Sequence, residues 1–269
     1  MIPEPAPTVR ELLAFYLEAG VDCALTEEPI DRLAELDTPP PAPRAAPVET
    51  ARPVAAPAVM RGEAAPAPDV AIASARDAAR TAPTLEALRE LMQNFEGCAL
   101  KHTATRLVFA DGNPQARIMF VGEAPGRDED IEGLPFVGRS GKLLDLMIGA
   151  IGLNRTTAYI TNVIPWRPPG NRTPTPQETQ ICLPFIQRHI ELVNPDVLVT
   201  LGNPSTQTLL STREGIMRTR GRWFDYDTGQ RTIRALPTFH PAYLLRSPSY
   251  KRLAWQDLRS IAKALAQGS

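Results

Sequence analysis

The chain reads as an α/β protein, a three-layer α/β/α sandwich around a central, mainly parallel, four-stranded sheet. Two observations carry this. Short apolar runs recur in ARIMFVGEAPG (116–126), AYITNVIP (158–165), DVLVTLG (196–202) and IRALPTFHP (233–241). Stretches with helical signals separate them, at Lys142 to Ile151, after Pro176 and from Ser205 onward, and a last helix spans about 248–266. Short apolar runs of this kind suit strands covered on both faces, and strands alternating with helices give a parallel sheet. A chain of 269 residues is long enough to bury such a core.

The elements before the first strand are of a different kind. TVRELLAFYLEAG (8–20) opens with a Thr-x-x-Glu capping box and places Val9, Leu12, Leu13, Tyr16 and Leu17 on one helical face. Residues 1–37 therefore read as a short acidic helical segment, either a tethered docking element or a helix that packs on the main domain. Residues 38–70 read as a Pro/Ala-rich disordered linker. Within 39–68 there are nine Pro, ten Ala and no aromatic residue, too little apolar surface to offset chain entropy. Residues 71–96 lead into the core through a helix over about 82–95, with Leu85, Leu88, Leu91, Met92 and Phe95 on one side. Residues 97–269 form the globular domain.

Charge follows the same division. Residues 1–96 carry 8 Lys/Arg against 16 Asp/Glu, and residues 97–269 carry 21 against 14. A basic globular part behind an acidic leader points to a polyanionic partner, with two solvated surfaces of opposite sign as the plainer reading. Three cysteines, Cys23, Cys98 and Cys182, stand at wide spacings, which suits a reducing compartment rather than a disulfide framework. No run of 18 apolar residues and no basic-then-apolar leader is present. The expectation is a monomeric, cytoplasmic, nucleoid-associated protein with no membrane partner.

In parallel sheets ligands sit where the carboxyl ends of strands converge. Those ends here carry GEAPG, TNVIPWRPPGNR, LGNPS and FHPAYLLR. The segment GLPFVGRS (133–140) imitates a Walker phosphate loop with Arg139 in place of the lysine. A true phosphate loop follows its strand directly, whereas this one comes about a dozen residues later. GEAPGR also lacks the GxGxxG spacing of dinucleotide sites.

Taken together, GEAPGRDED with GLPFVGRSG, TN followed by RPPGNR, and FHPAYLLR closely resemble the uracil-DNA glycosylase superfamily. The resemblance is to its family-four branch, which is usually built around an iron–sulfur cluster, and it covers about residues 97–262. It implies a monofunctional glycosylase that flips uracil out of DNA, hydrolyses its N-glycosidic bond and leaves an abasic site for base excision repair. Phe136 matches the residue that stacks on the base, beside Gly122 at the end of the first strand. Asn162 matches the residue that reads the uracil edge; an amide offers both the donor and the acceptor that N3–H and O4 require. His240 matches the donor to O2 of the departing uracilate. Glu123 and Glu129 occupy the family's two acidic positions, with Glu123 favoured to orient the attacking water. Asp128 and Asp130 read as capping or solvated residues.

The resemblance further implies DNA contacts from Arg139, Ser140, Arg167, Arg172, Ser205 and Arg246. Leu244 or Leu245 would wedge into the stack, with at least one of the two belonging to the core. His102 and His189 sit in no such motif and read as surface or structural.

Two departures stand out. Ala124 holds the position where the best-known uracil glycosylases have an aspartate. That leaves a second reading open, a protein that grips uracil or abasic DNA with weak or no turnover. Of the four cluster cysteines, the matching positions read Phe95, Cys98, Trp166 and Cys182. A four-thiolate cluster cannot form from two thiols, and the spacing of Cys23 and His102 does not complete the set. The expectation is a protein without metal or other cofactor, with Cys98 and Cys182 vestigial. DNA containing uracil is the expected partner, and the acidic N-terminal helix either recruits a repair protein or covers the basic cleft.

Overall fold

The structure is a computed structural model that describes residues 68–267. The expected helix at 8–20, most of the linker, and Cys23 lie outside the described residues.

Two helices precede the sheet: α1 (Pro68–Thr81) and α2 (Leu85–Asn94). They are interrupted at Ala82-Pro83, because a proline pushes the residue before it out of helical geometry. Thr84 then caps α2 by accepting from the Ala87 N–H. The chain is thus already helical at residues 68–70, which the composition had assigned to linker. The reason is the alanine stripe Ala71, Ala75, Ala79, whose small side chains are buried in the core together with Ala82. Alanine gives almost no hydropathy contrast, so the face is invisible to periodicity. Arg188 pins the turn by donating twice to the Ala82 carbonyl, at 3.0 and 2.8 Å.

After a short helix α3 (Leu100–Thr103) the chain builds the sheet. Its strands are β1 (Asp111–Gly112), β2 (Ile118–Gly122), β3 (Tyr159–Asn162), β4 (Val197–Leu201), β5 (Phe224–Asp227) and β6 (Thr232–Thr238). Their spatial order is β1-β3-β2-β4-β6-β5. The four strands read from the sequence form the centre and pair with one another in parallel. The two edge strands were not foreseen; both are antiparallel. One is only two residues long, and the other, FDYD, carries two acids, so neither shows an apolar run.

Alternation along each central strand divides the core. Ile118 and Phe120 of β2 face the same side as Val197, Val199 and Leu201 of β4. That side is covered by α5 (Arg139–Gly149), α9 (Pro241–Arg246) and α10 (Lys251–Gln267). Met119, Val121 and Leu198 face the other, covered by α1, α2 and α6 (Pro176–Val193). Sheet residues are therefore buried from both faces, which is the three-layer arrangement expected. The remaining helices are α4 (Arg127–Glu132), α7 (Asn203–Leu210) and α8 (Ile216–Thr219).

Candidate active site

The carboxyl ends of β2 and β3, and the residues just after β6, converge on one cleft of about 230 Å³. It is lined by Glu123 after β2, Asn162 at the end of β3, Phe136 from the segment after α4, Ser140 of α5, the 168–174 loop, and His240 after β6. Residues read from separate motifs thus meet in one place because strand ends meet there.

Phe136 is buried, and its ring lies 5.4 Å from that of His240. Its φ is 55°, a conformation that a bulky residue avoids at a cost of roughly 1–3 kcal/mol. Gly122 sits between the recognition groups. A Cβ there would run into both the Asn162 Oδ1 and the Phe136 ring, so only glycine lets the strand end approach them. Asn162 is 5% exposed, and its Oδ1 is buried with no hydrogen-bond partner. A buried amide oxygen left unpaired costs about 1–3 kcal/mol, and a ligand N–H in the cleft would relieve that cost.

His240 caps α9. Its Nδ1 accepts from the Ala242 N–H at 3.1 Å, which assigns the proton of the neutral ring to Nε2. Burial, with a smaller push from the Arg246 charge, lowers its pKa to about 4, so the ring is neutral near pH 7. Strand β6 is anchored two residues earlier. The Thr238 hydroxyl donates to Asp257 at 2.7 Å, and Asp257 is itself buried against Arg220.

The two glutamates differ sharply. Glu123 is half-buried on the cleft, its carboxylate has no partner among the described residues, and burial raises its pKa above the ordinary carboxylate value. Glu129 also borders the cleft, but both of its oxygens are committed. One accepts from the Gly126 N–H and the other from Val137 and Gly138, all at 3.1 Å. With its oxygens accepting three backbone N–H bonds, its geometry is that of a loop clamp. Asp130 is similarly structural, holding the Thr105 and Arg106 N–H groups and the Thr105 hydroxyl.

Two expected DNA contacts need correction. Leu244 is fully buried in the core, so only Leu245, 36% exposed, can reach outward. Ser205 is also fully buried; its hydroxyl turns back to the Leu201 and Gly202 carbonyls and is unavailable to a phosphate. Helical periodicity decides both, since each residue falls on the inner face of a short helix. Arg139 and Arg246 are exposed and have no ion-pair partner among the described residues. Arg167 donates to Asn171 at 2.7 Å, and Arg172 is bidentate to Glu178, so these two also shape their loop. Ser140 lies in the first turn of α5 beside the cleft.

The histidines outside the motifs are accounted for. His189 is buried, hydrogen-bonded to the Tyr159 hydroxyl at 2.8 Å and stacked on Phe109, and burial pushes its pKa down to about 3. His102 is exposed near Glu96.

Phe95, Cys98, Trp166 and Cys182 share one buried cluster. Both thiols are free and buried, and the neighbouring Cys98 together with burial holds the Cys182 thiol well above the ordinary thiol range. Trp166 is among the largest fully buried side chains, and the Phe95 ring meets Phe185 edge-on at 5.0 Å. Among the described residues these two free thiols are the cysteines present, and the rings of Phe95 and Trp166 pack in the same cluster.

Sequence reasoning missed Arg155. It lies in the loop before β3 and donates to the backbone carbonyls of Pro135 and Phe136. The sequence offers no local sign of this, because the partners lie 20 and 19 residues away.

The family model described as the uracil DNA glycosylase superfamily matches residues 109–259. The chain is 41% identical over 177 residues to a type-4 uracil-DNA glycosylase of Thermotoga maritima, covering 65% of this chain and 91% of that protein. It is 40% identical over 183 residues to a type-4 uracil-DNA glycosylase of Sulfurisphaera tokodaii, covering 66% and 83%. To that of Archaeoglobus fulgidus it is 39% identical over 180 residues, covering 65% and 90%.

Proposed function

The chain belongs to the uracil DNA glycosylase superfamily, and on that premise we propose that it excises uracil from DNA by hydrolysing the N-glycosidic bond. The observation that carries the reading is the unpaired, buried Asn162 Oδ1 facing the same cleft as Phe136 across Gly122. A flipped uracil would stack on Phe136 and donate its N3–H to that oxygen, while the Asn162 amide N–H donates to O4. Cytosine presents the reverse pattern and would leave buried groups unpaired, which is how such a site discriminates.

Cleavage places positive charge on the sugar and negative charge on the departing base. The Nε2–H of neutral His240 is available to donate to O2 as charge develops there. A preorganised donor of this kind contributes about 3–4 kcal/mol in the transition state. Glu123, the uncommitted carboxylate, orients the water and stabilises the sugar cation, while Glu129 holds the loop. Arg139 and Arg246 meet backbone phosphates, and Leu245 fills the gap the flipped nucleotide leaves.

The same reading includes an enzyme without an iron–sulfur cluster, supported by the packed rings of Phe95 and Trp166. Iron analysis of protein purified without oxygen checks this; stoichiometric iron would overturn it. The activity itself is tested by single-turnover reactions on single-stranded and paired uracil oligonucleotides, scored as strand breakage after alkali. Wild type should cut, and Asn162→Asp and His240→Ala should be severely impaired. Full activity in both variants would mean that the chemistry lies elsewhere.

A further inference from the structure

The segment Pro135–Gly138 holds Phe136 in a left-handed conformation, and a bulky residue stays there only when its surroundings overdetermine it. Two side chains from outside the segment do so. From one side, Glu129 accepts the Val137 and Gly138 N–H groups. From the other, Arg155 donates through Nη1 to the Pro135 carbonyl at 3.1 Å and through Nη2 to the Phe136 carbonyl. Arg155 is itself fixed by two carboxylates from different elements, Asp111 of β1 at 2.6 Å and Asp145 of α5 at 2.9 Å. The segment has no room to slide toward α5, because a Cβ on Gly141 would overlap the Phe136 carbonyl.

We propose that Arg155 is a positioning residue for the excision reaction, holding two successive carbonyls of this segment so that the Phe136 ring forms the wall on which the base stacks. The inference rests on the reading of Phe136 as the uracil platform. A guanidinium suits the task because its planar fork presents several N–H groups in fixed directions. It can reach two adjacent carbonyls and two carboxylates at once. A lysine at this position would keep the charge between Asp111 and Asp145 but could not reproduce that fork. The salt bridges alone would serve stability; the paired carbonyl bonds tie Arg155 to the one backbone conformation that the platform requires.

The test is a double-mutant cycle on the full chain, using single-turnover excision from a single-stranded uracil oligonucleotide with saturating enzyme, alongside thermal melting. R155K should melt close to wild type yet lose roughly 10²-fold in the chemical step, the scale expected when a reacting partner is misplaced by about 1 Å. R155A should lose at least as much in the wild-type background and little further in F136A, because contacting residues that act as a unit are not additive. Equal losses from R155A in both backgrounds would overturn the proposal, as would an R155K enzyme with wild-type excision. If R155A does not fold, R155K and F136A/R155K decide the question in the same way. Wild-type protein that cuts no uracil DNA would instead refute the function on which this inference stands, whereas a cutting wild type with additive losses refutes only the role of Arg155.

Discussion

The cleft and the thiol cluster began as the same kind of problem and solve it in opposite ways. Both place polar or thiol groups inside the protein. In the cleft, demands are left open: Asn162 Oδ1 has no partner, Glu123 has none among the described residues, and Phe136 is held at positive φ. Around Cys98 and Cys182 the demands are closed, with Trp166 and Phe95 packed into the same buried cluster. Unmet polar demand marks the site that awaits a ligand, and apolar packing marks core. Burial alone would not separate Asn162 and Phe136 from Cys98 and Trp166, since all four are buried.

The sharpest way to break this contrast is to reopen the closed region. Trp166→Ala should cost about 3–5 kcal/mol of stability, the usual range for emptying a large buried aromatic site. Denaturant melts measure this. Residual protein that remains folded should still excise uracil, because Trp166 does not line the cleft. A loss of excision without loss of stability would place Trp166 in the catalytic machinery and erase the distinction.

In the cleft, His240→Ala should lower the single-turnover rate by about 10²–10³-fold with little change in melting temperature, as expected for removing one preorganised donor. His240→Gln retains an N–H and should recover part of that loss. Equal damage from both would mean that the ring serves as a cap rather than as a donor.

The pH dependence follows with its sign. Burial raises the Glu123 pKa above its ordinary value, and a protonated carboxyl cannot accept a proton from water. Activity should therefore fall as pH drops through a value above the ordinary carboxylate range. Burial shifts His240 the opposite way, down to about 4, so its own protonation comes at lower pH than that of Glu123. A pH–rate profile of Glu123→Gln should lose the limb along with most of the rate. A limb that persists in this variant would assign it to another group.

The smallest effect belongs to Leu245. Leu245→Ala should weaken excision from paired uracil by about tenfold, near the ~1.5 kcal/mol lower figure for burying a leucine side chain, and spare single-stranded substrate. Equal effects on both substrates would remove the wedge.

The sequence by itself determined the order of the central strands' helices and ends, and with them the meeting place of Gly122, Glu123, Asn162 and His240. Apolar runs and their spacing report local burial directly, and strand ends in a parallel sheet converge by topology. Only the tertiary structure decided which of Leu244 and Leu245 faces outward, and that the Ser205 hydroxyl points inward. It also separated Glu123 from Glu129, and it linked Arg155 to the Phe136 carbonyl. The physical reason is common to all of these. Periodicity encodes whether a side chain is buried, but hydrogen-bond partners across 19 or 20 residues are set by how separate elements dock. A glutamate with open oxygens and one with filled oxygens look alike in one dimension, and differ only once the neighbouring N–H groups have been folded into place.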